Sequence, residues 1–399
     1  MNTPFSAGPQ AIGYLYQARY SLYELLSQEQ LDSGIRIECL DDISVETTDV
    51  IKLDQLKHHV KKSVNITDSS VELWKTIRVW SDSLLQGKWR PEDVTLSLIT
   101  TASAVSGSAA EFLRPRYNRN EEKALTILLE ISRNSSNKNL KSSFDSFRSL
   151  TNIQQRRLIK SIHILDDADN IRDIVSKIKL KLSRSAYGNH IDSLYERLEG
   201  WWFDKVVEQL LADSSYPIML DELNQKIVSI SEQFKRDSLP IDYALEEPEL
   251  KYFTNKDDRV FVHQLNHIKI NAKRVRFAIL DYYRAFEQRS RWTRESLIID
   301  DELINYEKRL KEEWERCVAN LEDGMLYQSK DDDCIMFGRE VFNWMESSKI
   351  PIRNNMPISH EYVTRGSFHM LADLDPPSVY WHPKFLGFLE NVININESK

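Results

Sequence analysis

Between Ala11 and Thr101 the spacing of apolar residues changes period three times, and this succession limits the possible folds more than any other feature of the chain. Ile12, Leu15, Tyr16, Leu22, Tyr23, Leu25 and Leu26 recur at three- and four-residue intervals, which predicts a helix burying one face. Ile37, Cys39, Ile43 and Val45 then fall on alternate positions, so Arg36 to Glu46 reads as a strand and Val50 to Val60 as its partner, around the turn residues Thr47, Thr48 and Asp49. Helical spacing returns with Leu73, Trp74, Ile77, Trp80 and Leu84, and the β-branched run Val94 to Thr101 has the character of a buried strand. Helix, hairpin, helix, strand implies an α+β fold with an α/β core, in which helices cover a sheet.

Further along, residues 110 to 160 read as polar helices, Ser161 to Leu165 as one more strand, and Ile171 to Leu211 as helical up to Trp201, Trp202 and Phe203. Ser214, Ser215, Tyr216 and Pro217 interrupt that pattern and divide the chain into domains of residues 1–215 and 216–399. The second is mostly helical: Leu239 to Pro248 is an irregular connector, Val260 to Phe286 and Asp300 to Asn320 are long periodic stretches, and Pro351 to Phe388 is an irregular packed lobe.

Composition removes several classes of function. Glycine is only 11 of 399 residues and neither GxGxxG nor GxxxxGK[ST] occurs, which argues against Gly-rich phosphate loops. Cys39, Cys317 and Cys334 are far apart and form no CxxC, so reduced thiols are expected rather than disulfides or a zinc cluster. No apolar run approaches the ~18 to 20 residues of a membrane helix, and Met1 to Gln10 lacks the regions of a signal peptide, so a cytoplasmic protein with no membrane partner is expected. The net charge of −8 conceals an asymmetry: residues 51–200 hold 25 basic and 18 acidic side chains, and residues 201–399 hold 26 and 35. A phosphate-tolerant region is thus joined to an acidic one suited to a different partner.

On alternating strands, Glu38 and Asp42 share one face, and so do Gln55 and Lys57. Antiparallel pairing would bring carboxylate, amide oxygen and ammonium together. This arrangement resembles that of a PD-(D/E)xK nuclease, whose chemistry needs an acid to hold Mg²⁺ or Mn²⁺ against a phosphate, a second oxygen ligand, and a lysine to orient water and offset charge. Asp42 would be the acid, Gln55 the second metal ligand and Lys57 the lysine. Gln55 stands where Asp or Glu is usual, which removes one charge unless Glu38, or Glu24 on the first helix as a further metal ligand, compensates; Gln17, seven residues before Glu24, could face the same site. Such a pattern also arises on the solvent face of an ordinary hairpin. The surrounding element order and the nearby basic residues weigh against that reading. Lys61, Lys62, Arg114 and Arg116 are candidate DNA contacts, and so is His59, which unlike His58 shares the face of Lys57.

The runs GYLYQARYSLYELL, IECLDDISVE, LDQLKHH and TDSSVELWKTIRVW resemble the N-terminal nuclease domain of double-strand DNA endonucleases from bacterial anti-phage systems. The segment from FVHQLNHIKINAKRVRF to LKEEW, with FGREVFNWME and YVTRGSFHMLADLDPPSVYWHPKF, resembles the C-terminal domain of effectors in ABC-three-component systems, also called Lamassu. The resemblance implies a restriction-endonuclease-like N-terminal domain that cuts double-stranded DNA without strong sequence preference. It also implies restraint by an SMC-like ATPase subunit and a small third subunit, and release when invading DNA is sensed. Within the motif the acid and lysine fall on Asp42 and Lys57, and the QxK form matches Gln55.

One such site cuts one strand, so a double-strand break calls for self-association. The alternative is a catalytically inert adaptor that only holds DNA. In the second half, Trp292, Leu297, Leu303, Tyr306, Leu310 and Trp314 form a stripe suited to helix core, part of which could be interface. Because aromatics and arginines anchor interfaces, Arg291, Trp292, Trp314, Arg365, His369 and Trp381 are the candidate partner-docking residues. His369, Asp373 and His382 carry metal-ligating groups, but Phe368, Trp381 and Pro383 around them point to a packed lobe.

Overall fold

The computed structural model describes residues 8–47, 51–59, 64–212, 216–247, 257–299, 301–324, 330–357 and 359–387. The chain divides into two compact units, Met1–Ser231 and Glu232–Lys399.

The first unit begins with helix α1 (Gly8–Leu25), followed by strands β1 (Gly34–Ile37), β2 (Ile43–Glu46), β3 (Ile51–Lys57) and β4 (Asn65–Ile66), helix α2 (Val71–Leu85), and strands β5 (Val94–Thr100) and β6 (Ser103–Ala104). Helices α3 (Ala109–Phe112), α4 (Glu121–Asn134), α5 (Lys141–Ser149) and α6 (Asn152–Ser161) precede β7 (Ile162–Leu165), α7 (Asp173–Leu182), α8 (Ile191–Leu211), β8 (Ile218–Met219) and α9 (Leu220–Glu232). The main sheet has the order β7-β5-β3-β2-β1-β8. Strands β3, β5 and β7 are parallel, while β1, β2, β3 and β8 pair antiparallel where they meet. The sheet is therefore mixed.

The expected strand Arg36 to Glu46 is instead two strands joined by a turn. Ile37 pairs with Ile43, Glu38 takes a left-handed backbone with φ 55°, and its N–H donates to the Asp42 carbonyl at 3.0 Å. Ile37 and Ile43 are six apart, an even number, so the alternation of period two runs unbroken through the turn and conceals it. Beyond Glu46 the expected hairpin forms, with β2 antiparallel to β3, although Thr48 and Asp49 lie outside the described residues.

On one side of the sheet, α2, α4, α5 and α6 build a core with Leu53, Leu96 and Leu98. Fully buried Trp74 meets the rings of Phe144 and Phe147 edge-on, with centroids at 4.6 and 5.9 Å. Such pairs contribute about 0.5–1.5 kcal/mol beyond their buried area. On α1, Tyr16 packs against His58 with the rings tilted and their centroids 4.7 Å apart, and the Ala18 carbonyl accepts from Trp202 Nε1 of α8 at 2.7 Å.

The domain boundary lies at residue 231 rather than 215. Segment 216–231 belongs to the first unit because β8 pairs with β1, Leu220 N–H donates to the Ser33 carbonyl at 2.9 Å, and buried Gln209 bonds Ile37 N, Ile35 O and Tyr216 O. The break read at Ser214 to Pro217 therefore falls inside the first unit, and Ser214 and Ser215 lie outside the described residues.

The second unit contains α10 (Val260–His267), α11 (Ala272–Arg294), α12 (Glu302–Gly324), α13 (Asp331–Ser347) and α14 (Glu361–Ala372). The expected continuous helix Val260 to Phe286 is interrupted at Lys269, whose φ of 57° is incompatible with a right-handed helix, and Asn271 then caps α11 by accepting from Arg274 N at 3.1 Å. Helices α11 and α14 cross closely at Gly366, where any Cβ would overlap the Asp281 carbonyl and the Ala285 methyl. The segment after α14 is irregular and packed, with Trp381 and His382 buried. No described helix is long and apolar enough to cross a membrane.

Candidate active site

The register Ile43 against Asp54 sets the end of the β1–β2 turn beside the C-terminal half of β3. There Asp42 Oδ2 accepts from Leu56 N at 2.7 Å, a backbone bond that fixes the carboxylate in place. Gln55 Nε2 donates to Asp42 Oδ1 at 2.8 Å. Lys57 Nζ donates to Gln55 Oε1 and the Leu56 carbonyl, both at 3.1 Å, and reaches Asp42 Oδ2 at 3.5 Å. The three residues picked out by spacing thus form one bonded cluster.

Asp41, which the sequence reading passed over, completes it. Its Oδ1 accepts from Gln55 Nε2 and its Oδ2 from Trp80 Nε1 of α2 at 2.6 Å. With 7% of its surface exposed, Asp41 is pushed up to about 7, first by burial and then by the Asp42 charge, against the pull of the Trp80 and Gln55 donors. Glu38 is also raised, by partial burial and by Asp42, while a bond from Gln17 and the charge of Lys57 act the other way. Gln17 therefore does face the site. Glu38 reaches it from the turn rather than from a shared strand face.

Glu24 does not. Its carboxylate pairs with Lys52 Nζ at 2.8 Å, and Lys52 in turn meets Asp54 at 3.1 Å. Lys52 and Asp54 alternate with Leu53, Gln55 and Lys57 along β3, so this network occupies the opposite face of the strand. Asp54, with no exposed surface, is raised to about 6 by burial against the opposing pull of Lys52. Glu24 is thus corrected from a metal ligand to a partner in a buried ion network.

The DNA candidates separate. Lys61 and Lys62 lie outside the described residues. His59 follows β3 on the α2 side, its ring 2.8 Å from Glu72 and its N–H on Thr101 Oγ1 at 2.8 Å, whereas His58 turns to Tyr16. Arg114 is locked to Asp166 by a two-pronged bond, with Nε to Oδ1 at 2.7 Å, and is a framework residue rather than a free phosphate contact. Arg116 is exposed next to fully exposed Tyr117.

Among the docking candidates, four are interior. Trp292 donates to the Pro240 carbonyl at 2.8 Å, Trp314 to that of Tyr380 at 3.0 Å, and His369 and Trp381 pack with Phe342. His369, fully enclosed, is lowered to about 3 by burial. Arg291 bonds Glu295 at 2.7 Å, and Arg365 is paired with Asp281. These side chains hold the unit together; buried aromatics cannot anchor a partner.

The first unit is thus a mixed α/β domain bearing an acid, amide and lysine cluster, and the second is helical. Residues 261–389, within the second unit, match the family model for C-terminal domain 7 of the ABC-three component (ABC-3C) systems. The chain therefore carries a domain of these multi-component defence systems. No curated protein matches in sequence. Structures of the Acinetobacter baumannii Cap4 SAVED/CARF-domain containing receptor are similar, at 15% identity and TM-score 0.33 with the cyclic trinucleotide 3'3'3'-cAAA, over 58% of this chain and 48% of that one. The same receptor without a named ligand aligns at 14% identity and TM-score 0.33, over 71% and 61%. The chain spans about half the length of the first of these, and a likeness this distant carries no argument here.

Proposed function

We propose that the first unit is a metal-dependent endonuclease of the PD-(D/E)xK kind, acting on double-stranded DNA as the effector of a defence complex. The carrying observation is the convergence of Asp42, Gln55 and Lys57 with Asp41 at one end of the sheet. The donors fit Mg²⁺ or Mn²⁺: carboxylates and an amide oxygen are hard ligands. Asp41, raised to about 7 beside Asp42, marks a place short of positive charge. Asp42, Asp41 and Gln55 would hold the ion, with Gln55 turning its oxygen rather than its NH₂ toward the acids. When bound, a divalent cation supplies charge to neutralise the phosphodiester. Leu56 N keeps Asp42 aimed, Trp80 does the same for Asp41, and Lys57 offers a cation to position water and balance charge on the phosphorus.

Control then falls to assembly, since a nuclease without base readout must be restrained: an SMC-like ATPase and a small third subunit would hold the second unit, and release would allow copies to pair on both strands. The rival is an inert DNA-binding adaptor. Incubation of the full chain with linear and supercoiled plasmid in Mg²⁺ or EDTA decides between them. Cleavage should require Mg²⁺ and fall at least ~10²-fold in Lys57→Ala and Asp42→Ala. Retained cleavage in either variant, or none in the native chain freed of its partners, rejects the nuclease.

A further inference from the structure

His382, one of the metal-ligating residues noted in the sequence, is brought by the fold not to His369 and Asp373 but to two residues far away in the chain. His267 closes α10, Asp331 opens α13, and His382 lies in the irregular segment after α14. Each offers one ligand atom, and these atoms all lie within 4.8 Å of one another; among the described residues this is the cluster of histidine, cysteine and carboxylate groups tight enough to share an ion. His382 Nε2 is 3.8 Å from Asp331 Oδ1, too long for a hydrogen bond. Two ligands at about 2.0–2.1 Å from a tetrahedral ion stand roughly 3.4 Å apart, so a small closing movement suits a common metal. The rings of His267 and His382 meet edge-on at 4.6 Å and 76°, which sets two imidazoles from different elements around one point.

We propose that His267, Asp331 and His382 bind a divalent transition metal, Zn²⁺ by chemistry, as a clip joining α10, α13 and the segment after α14. Two imidazoles and one carboxylate match zinc rather than Mg²⁺, which prefers oxygen ligands. The clip has a closed side and an open side: the His382 side chain has no exposed surface, and that of Asp331 is 69% exposed, leaving room for water as fourth ligand. Lys384 N–H approaches His382 Nδ1 at 3.2 Å, so the neutral ring carries its proton on Nε2. Metal binding moves that proton to Nδ1 and gives up this one backbone contact. The site does not depend on the nuclease reading, because all three ligands lie in the second unit.

The test is calorimetric titration of the EDTA-stripped full chain with Zn²⁺ in excess Mg²⁺, which keeps the oxygen-rich cluster of the first unit occupied. One Zn²⁺ per chain is expected, with a rise in Tm, and the Co²⁺ form should show the intense visible bands of a four-coordinate ion. Asp331→Asn, at an exposed position that leaves the fold alone, should weaken Zn²⁺ at least about tenfold and reduce the Tm rise. His267→Asn should abolish binding. His382→Gln is avoided as the deciding variant because it alters a buried residue. Absence of Zn²⁺ binding in excess Mg²⁺, or binding unchanged in both Asp331→Asn and His267→Asn, overturns the proposal.

Discussion

Asp41→Asn tests whether the buried acid beside the catalytic candidates serves metal binding. Its carboxyl is raised from 3.8 to about 7, which means the ionised form is disfavoured by about 4 kcal/mol at this buried position. A bound cation requires that ionised form, so proton and metal compete. Below pH 7 the apparent affinity should fall about tenfold for each pH unit, or roughly tenfold between pH 8 and pH 6. Stability has the opposite dependence. For an acid raised in the folded state, the contribution is fully present below the unfolded value of 3.8 and is lost as pH rises through about 7. In Asn a single oxygen remains to accept from Trp80, the NH₂ faces Gln55, which can turn its own oxygen to it, and the titration is gone. Calorimetric titration with Mn²⁺ at pH 6 and pH 8 should therefore show a steep dependence in the native chain and a nearly flat, weaker one in the variant. Thermal unfolding of the metal-free variant should lose the decline between pH 4 and 7. An equally steep Mn²⁺ dependence in Asp41→Asn would refute the assignment.

Glu24→Gln should leave plasmid cleavage and Mn²⁺ affinity within about twofold of native, because Glu24 is held by Lys52 on the other face of β3; a drop like that of Asp42→Ala would restore it as a ligand. Lys52→Met, which strands Asp54 without its cation, should cost about 3–5 kcal/mol in urea unfolding, and less at pH 5, where Asp54 is largely protonated. Trp292→Ala should destabilise the second unit by about 3–5 kcal/mol by circular dichroism, since its ring is fully buried; weakened partner binding with unchanged melting would return it to an interface role. Arg116→Ala should lower DNA affinity and reduce the salt slope by about one, while Arg114→Ala should chiefly reduce stability, having lost its bond to Asp166.

The sequence exposed the parts of the site that obey strand arithmetic. Gln55 and Lys57 are two apart on one strand, and Asp42 enters the next strand at a register that apolar alternation determines. Asp41 was hidden because adjacent strand residues point to opposite faces, a rule suspended in the turn that the even spacing of Ile37 and Ile43 concealed. Glu24 was misplaced since a helical residue can face either side of a strand until the packing is known; Tyr16 on His58 and Glu24 on Lys52 show α1 covering the face away from Gln55. Trp292 and Trp314 occupy the helical spacing that both core and interface require, and periodicity alone cannot separate the two. His267, Asp331 and His382 are spread over more than a hundred residues with no motif spacing, so only tertiary structure unites them.

The pairing of β8 with β1 also sets a schedule for biosynthesis. The acids and lysine of the proposed nuclease are all translated by residue 57, yet β3 must wait for β5 at Val94–Thr100, and β1 receives its outer neighbour only at Ile218–Met219. At about 5–20 residues per second, that last strand leaves the ribosome on the order of ten to forty seconds after initiation. A nascent chain therefore carries the ingredients of a cutting site well before it has the sheet that would align them, and the segment that closes the sheet is made before the defence-system domain begins at residue 261.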